Sequence, residues 1–105
     1  MFYEGLLVAL LVILKPDYDV QSQPNAGLGR ADIVITPWES GRPGVVLELK
    51  TLGERESEQA ALVAALKQIE DQQYAAKLEE RGARPIHKYG AAFDGQRVWV
   101  KKQTS

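Results

Sequence analysis

Apolar and polar residues alternate along this chain with two different periods, and the change of period divides it into elements. Residues 2 to 14, "FYEGLLVALLVIL", are apolar nearly all round, which predicts a helix buried on more than one side or joined to another subunit. Pro16 stops it. "YDVQSQ", residues 18 to 23, alternates weakly as a half-exposed strand does; "PNAGLG" supplies turn residues, and "RADIVIT" is a second strand rich in β-branched residues. After the Pro and Gly cluster "PWESGRPG", a third strand runs from Val45 to about Thr51, and the three read most simply as an antiparallel meander.

From about Glu56 to Glu80 the composition turns to Ala, Leu, Gln, Glu and Lys, all good helix formers. Leu62, Leu66, Ile69 and Gln73 fall on one stripe of a single long helix, with Ala65, Ala76 and Leu78 beside it and Gly82 placed to end it. "PIHKYGAAFDGQRVWVKK" then gives two strands around Asp94-Gly95, a strong hairpin signal, with Val98 and Val100 on one face and Arg97, Trp99 and Lys101 on the other. The order is αβββαββ, an α/β fold in which a mixed sheet is flanked by helices.

A chain of 105 residues is read as a single domain spanning 1–105, large enough for a core without staples. The absence of cysteine excludes disulfides, thiolate zinc sites and a cysteine nucleophile, and one histidine, His87, argues against a histidine-built metal site. The run "GLLVALLVIL" is ten residues, well short of the roughly 20 needed to span a bilayer, and lacks the flanks of a signal peptide. A cytoplasmic protein with no membrane association is therefore expected. The net charge of −1 lacks the basic footprint usual for a nucleic-acid binder, although residues 81 onward carry six Lys or Arg against one acid.

One strand breaks its own pattern. In "GVVLELKTL" Glu48 and Lys50 share a face, with Leu47 and Leu49 turned away, and burying either charge alone costs several kcal/mol on the order of magnitude. A salt bridge or a wet edge strand would explain this, and an acid-x-Lys triplet arises about once by chance in a chain of this composition. Asp32, at the head of the apolar "DIVIT", changes the balance. Two neighbouring strands that each place a carboxylate among β-branched residues bring two oxygen ligands together, and magnesium is commonly held by one or two carboxylates plus substrate phosphates. A lysine beside them can orient a water or neutralise charge developing on a phosphate.

Asp32 followed by "ELK" in the next strand, flanked by helices, resembles the PD-(D/E)xK nuclease superfamily and its restriction-endonuclease-like core. More narrowly, "FYEGLLVALL", "GLGRADIVIT", "GVVLELK", "ALKQIEDQQYA" and "YGAAFDGQRVWV" are similar to the nuclease domain found at the C-terminus of AAA-ATPase-like proteins. The resemblance implies a Mg2+-dependent DNA nuclease, an endonuclease by expectation, with Mn2+ as substitute. Asp32 and Glu48 would be metal ligands, the carbonyl of Leu49 a third, and Lys50 the catalytic lysine. Ala31 stands where many relatives have proline. Glu4 on the first helix either joins the metal site or merely favours the helix dipole. Gln68 either joins the metal site or lies on a solvated face, and Tyr74 either approaches nucleic acid or is solvated. Because they are six positions apart on one helix, about 240°, Gln68 and Tyr74 do not share a small pocket. Arg30 contacts a phosphate or pairs with an acid. Trp99 with Arg97 and Lys101 forms a stacking surface or the outer face of an edge strand.

The implied partners are DNA, a second copy of the chain covering the apolar first helix, and an ATPase domain in a longer relative, the chain being either stand-alone or part of a longer product. The alternative is a noncatalytic module that keeps the fold and binds DNA or protein.

Overall fold

The computed structural model describes residues 2–25, 30–72 and 74–103. Helix α1, Phe2–Leu14, closes with main-chain bonds from Lys15 to Leu11 and from Asp17 to Leu14, where Pro16 ends the helical ladder. Strands β1 (Tyr18–Asn25), β2 (Arg30–Pro37) and β3 (Gly44–Thr51) form the antiparallel meander that their alternation predicts. The "AGLG" part of the expected turn, residues 26–29, lies outside the described residues, as does Gln73.

The helical segment is described in two pieces on either side of residue 73: α2, Glu58–Gln72, and α3, Tyr74–Glu80. Ser57 caps α2, its hydroxyl accepting from the Ala60 amide at 3.3 Å, with the carboxylate of Glu58 in the first turn. At the end of α3, Gly82 takes a positive φ of 82°, and the amides of Gly82 and Ala83 return to the carbonyls of Glu79 and Leu78. A side chain at Gly82 would also collide with the hydroxyl of Ser40.

Together α2 and α3 make the crossover that parallel pairing of β3 with β4 (Ile86–Phe93) requires, and β5 (Val98–Lys102) returns antiparallel to β4. The sheet order is β1-β2-β3-β4-β5. The β4–β5 turn spans residues 94–97, with Phe93 opposite Val98. Asp94 holds it by accepting from the amides of Gln96 and Arg97, and Gly95 adopts positive φ.

One face of the sheet packs against α2 and α3. Val46, Leu66, Ile69, Leu78 and Ala83 form one cluster there, and Ala61, Leu62 and Ala92 a second. Ile33, Ile35, Leu49 and Ala91 are buried on the opposite face, since neighbours along a strand alternate.

Two expectations are corrected. Helix α1 packs on β1, yet Val12 and Ile13 are 74% and 75% exposed and Val8 and Leu11 are also open, so among its described side chains burial on more than one side does not hold, and of the two readings the subunit contact is the one left untouched. In β5 the alternation holds, but Trp99 is the inward residue. It packs on the second core cluster with the Arg97 guanidinium 5.3 Å from its ring, while Val98 and Val100 face outward, so Trp99 is neither a free stacking surface nor the outer face.

Candidate active site

The interrupted strand finds its explanation in the β2–β3 register. Asp32 lies directly opposite Glu48, and Arg30 directly opposite Lys50. Residues facing each other across antiparallel strands have Cβ atoms about 4.5 to 5.5 Å apart, so the two carboxylates emerge side by side on the α2–α3 face.

Their environments differ. Glu48 is 1% exposed, and its Oε2 has no hydrogen-bond partner. Part of the reason is Gly90, its neighbour on β4: a Cβ there would come within 3.1 Å of the Leu62 carbonyl and of Ala65, so the bare glycine lets α2 close over the sheet beside Glu48. Asp32 is half-buried and accepts a short hydrogen bond at Oδ2 from the Tyr74 hydroxyl. Burial pushes the Tyr74 phenol up to about 12, with the hydrogen bond to Asp32 and its negative charge acting in the same direction, so the hydroxyl remains a donor throughout the neutral range.

Lys50 projects on the same face as Glu48, but its ammonium lies 3.0 Å from Glu56 Oε2. Glu56 is in turn held by the Gly53 amide, which donates to Oε1 at 2.8 Å. That amide bond first, and then Lys50, keep the Glu56 carboxyl below the usual glutamate range. The depressed value means that the clasp is complete at neutral pH and is lost only as pH falls through that lowered value.

The structure therefore brings together Asp32, Glu48 and Tyr74, and holds Lys50 alongside on Glu56. Tyr74 corrects the sequence reading: its hydroxyl is committed to a carboxylate, not to a solvated face. Gln68 is half-buried on α2 and engaged in an interaction of its own. Leu49 buries its side chain on the opposite face, leaving only its main chain between Glu48 and Lys50. The side chains of Glu4 and Arg30 lie outside the described residues.

Sequence reasoning missed Glu56, although "KTLGERE" places a turn glycine and two acids just after the lysine. It also missed Lys77 and Arg81. They line, with Asp32 and Tyr74, a cleft of about 210 Å³ between α3 and strands β1 and β2.

Chemically, two adjacent carboxylates, one of them carrying an orphaned buried oxygen, suit a hard divalent cation better than any partner present. Among the described residues no three His, Asp or Glu side chains converge, so the protein side chains described supply two oxygen donors and further ligands must come from the main chain, water or substrate. Among those residues, too, no helix is long and apolar enough to cross a membrane. No curated protein matches the chain. Residues 1–103, however, match a family described as the PD-(D/E)XK nuclease superfamily, and with this sheet, crossover and carboxylate pair the chain belongs to that superfamily.

Proposed function

We propose that the protein is a Mg2+-dependent DNA endonuclease, with Mn2+ able to substitute, in which Asp32 and Glu48 hold the ion and Lys50 acts on the attacking water. The observation that carries this reading is the buried Oε2 of Glu48, unpartnered and directly across the strands from Asp32. A carboxylate oxygen left without a donor costs on the order of 1 to 3 kcal/mol or more, and a bound cation offsets that cost. The carbonyl of Leu49 is the third ligand in this reading, Glu4 and Gln68 join the site from their helices, and Arg30, opposite Lys50, contacts a phosphate.

A bound divalent ion supplies Lewis acidity to the phosphodiester under attack. The chain's own residues do the rest. Tyr74 fixes the rotamer of Asp32 by occupying Oδ2, and Oδ1 takes no part in that bond. Lys50 exchanges its contact with Glu56 for the water and the phosphate, orienting the first and neutralising charge on the second. Helix α2 keeps bulk solvent away from Glu48.

Calorimetric titration with Mn2+ tests the reading. Wild type is expected to give heat of binding that Asp32→Asn abolishes. Tyr74→Phe, which keeps the ring and removes only the donor, is expected to weaken binding about 10- to 100-fold, the usual effect of losing an outer-shell partner. No carboxylate-dependent heat would favour the noncatalytic alternative.

The apolar outer side of α1 supports assembly with a second copy of the chain, which would place two sites on one duplex. Sedimentation is expected to give a dimer at tens of micromolar, roughly the range of ordinary dimer affinities; a monomer there overturns this part.

A further inference from the structure

The cleft beside Asp32 is longer than a metal site needs. Helix α3 leans toward β3 and β4, where Leu78 packs on Val46 and Ala83, and this leaves the same face of β1 and β2 open as a floor. Gln21, Val34 and Thr36 form that floor; Lys77 and Arg81 form the wall, and Asp32 with Tyr74 closes one end. Tyr74, Lys77 and Arg81 recur at helical spacing along about 10 Å, a length that spans roughly three stacked nucleotides at 3.4 Å each.

The charges have few competing partners. Among the described residues Lys77 makes no ion pair, and Arg81 reaches only Asp19, at 3.7 Å. The Arg81 guanidinium also lies 5.5 Å from the ring of Trp38, which is 59% exposed at the far end of β2. A groove with two cations along one wall and an exposed aromatic ring at its end is the combination that holds a single nucleic-acid strand, because cations follow the phosphates and every base has a face to stack. In a chain of net charge −1, capture by the overall field is weak, so local cations must supply it.

We propose that this cleft binds one unpaired DNA strand leading away from the carboxylate pair, with Lys77 and Arg81 on its phosphates and Trp38 stacked on a base. The inference rests on the nuclease reading above, and it narrows the substrate to DNA with a single-stranded segment beside the cleaved bond.

The test is fluorescence anisotropy in EDTA, which prevents cleavage, using a labelled oligothymidylate of about eight nucleotides and a hairpin duplex of the same span. The oligothymidylate is expected to bind more tightly. Lys77→Ala and Arg81→Ala should each weaken it about three- to tenfold and lower the salt slope by about 0.7, one single-strand phosphate contact apiece. Trp38→Ala should weaken it about tenfold or more, and Arg81→Lys should recover most of the loss. Lys67→Ala, on the exposed side of α2 beside Asp71, should leave binding unchanged. Melting curves on each variant confirm folding, and none of these side chains is buried. Binding unaltered in Lys77→Ala and Trp38→Ala, or preference for the duplex, overturns the proposal. A Mn2+ cleavage assay separates the two readings. Cleavage by wild type with unaltered binding in the cleft variants sinks only the strand path; cleft-dependent binding without cleavage supports the path and sinks only the nuclease.

Discussion

Lys50→Ala is expected to reduce phosphodiester cleavage of plasmid DNA about 10²- to 10⁴-fold, the usual range for removing a group that positions or moves a proton in the transition state. Its manganese affinity should remain close to that of wild type. The separation matters because Lys50 does not touch either carboxylate: its ammonium sits on Glu56, and Glu56 keeps a second anchor in the Gly53 amide. The substitution therefore leaves the loop after β3 held and the Asp32–Glu48 pair untouched. Single-turnover cleavage alongside calorimetry measures the two effects independently, and equal cleavage by the variant and wild type would falsify the role assigned to Lys50.

Glu48→Leu is expected to do two opposite things. In EDTA it should raise stability by about 1 to 4 kcal/mol, because a buried ion replaced by an apolar side chain of similar size removes a desolvation cost without opening a cavity. For a domain of this size that is a rise of at least about 4 °C in melting temperature. The same change should abolish manganese binding and cleavage. The leucine would sit among Leu62, Ala65 and Leu66, which the Gly90 gap draws close to the sheet at this register. Such opposition between stability and activity is characteristic of residues retained for chemistry. A melting temperature in EDTA below that of wild type would show that the Glu48 carboxylate has a compensating partner and that its buried oxygen carries no strain.

What the sequence made legible follows from how local each contact is. The carboxylate pair was readable because β2 and β3 are neighbours in a meander, so period-2 alternation and adjacency together fix which side chains meet. Lys50 was readable for the same reason: two positions along a strand is one face. Tyr74 was not. The angular argument separates Gln68 from Tyr74 around a helix but does not say which of the two faces Asp32. Trp99 shows a different limit. Alternation tells which residues share a face but not which face is inward, and on β5 the larger ring takes the core while two valines are left outside. Helix α1 shows a third: apolar residues on every side record what a helix can bury, not what it does bury, and Val12 and Ile13 stay open.

The pairing pattern also divides the site by the length of chain that must close to form it. Joining β2 to β3 closes only the short connection at residues 38–43, whereas joining β3 to β4 closes the whole crossover at residues 52–85. Loop closure costs about 0.6 kcal/mol more with each doubling of length. Setting Asp32 opposite Glu48 therefore carries a smaller closure cost than laying down the crossover that brings the phenol of Tyr74 to Asp32 and the roof over Glu48. The carboxylate pair belongs to the local part of the fold, and what desolvates the glutamate belongs to the non-local part.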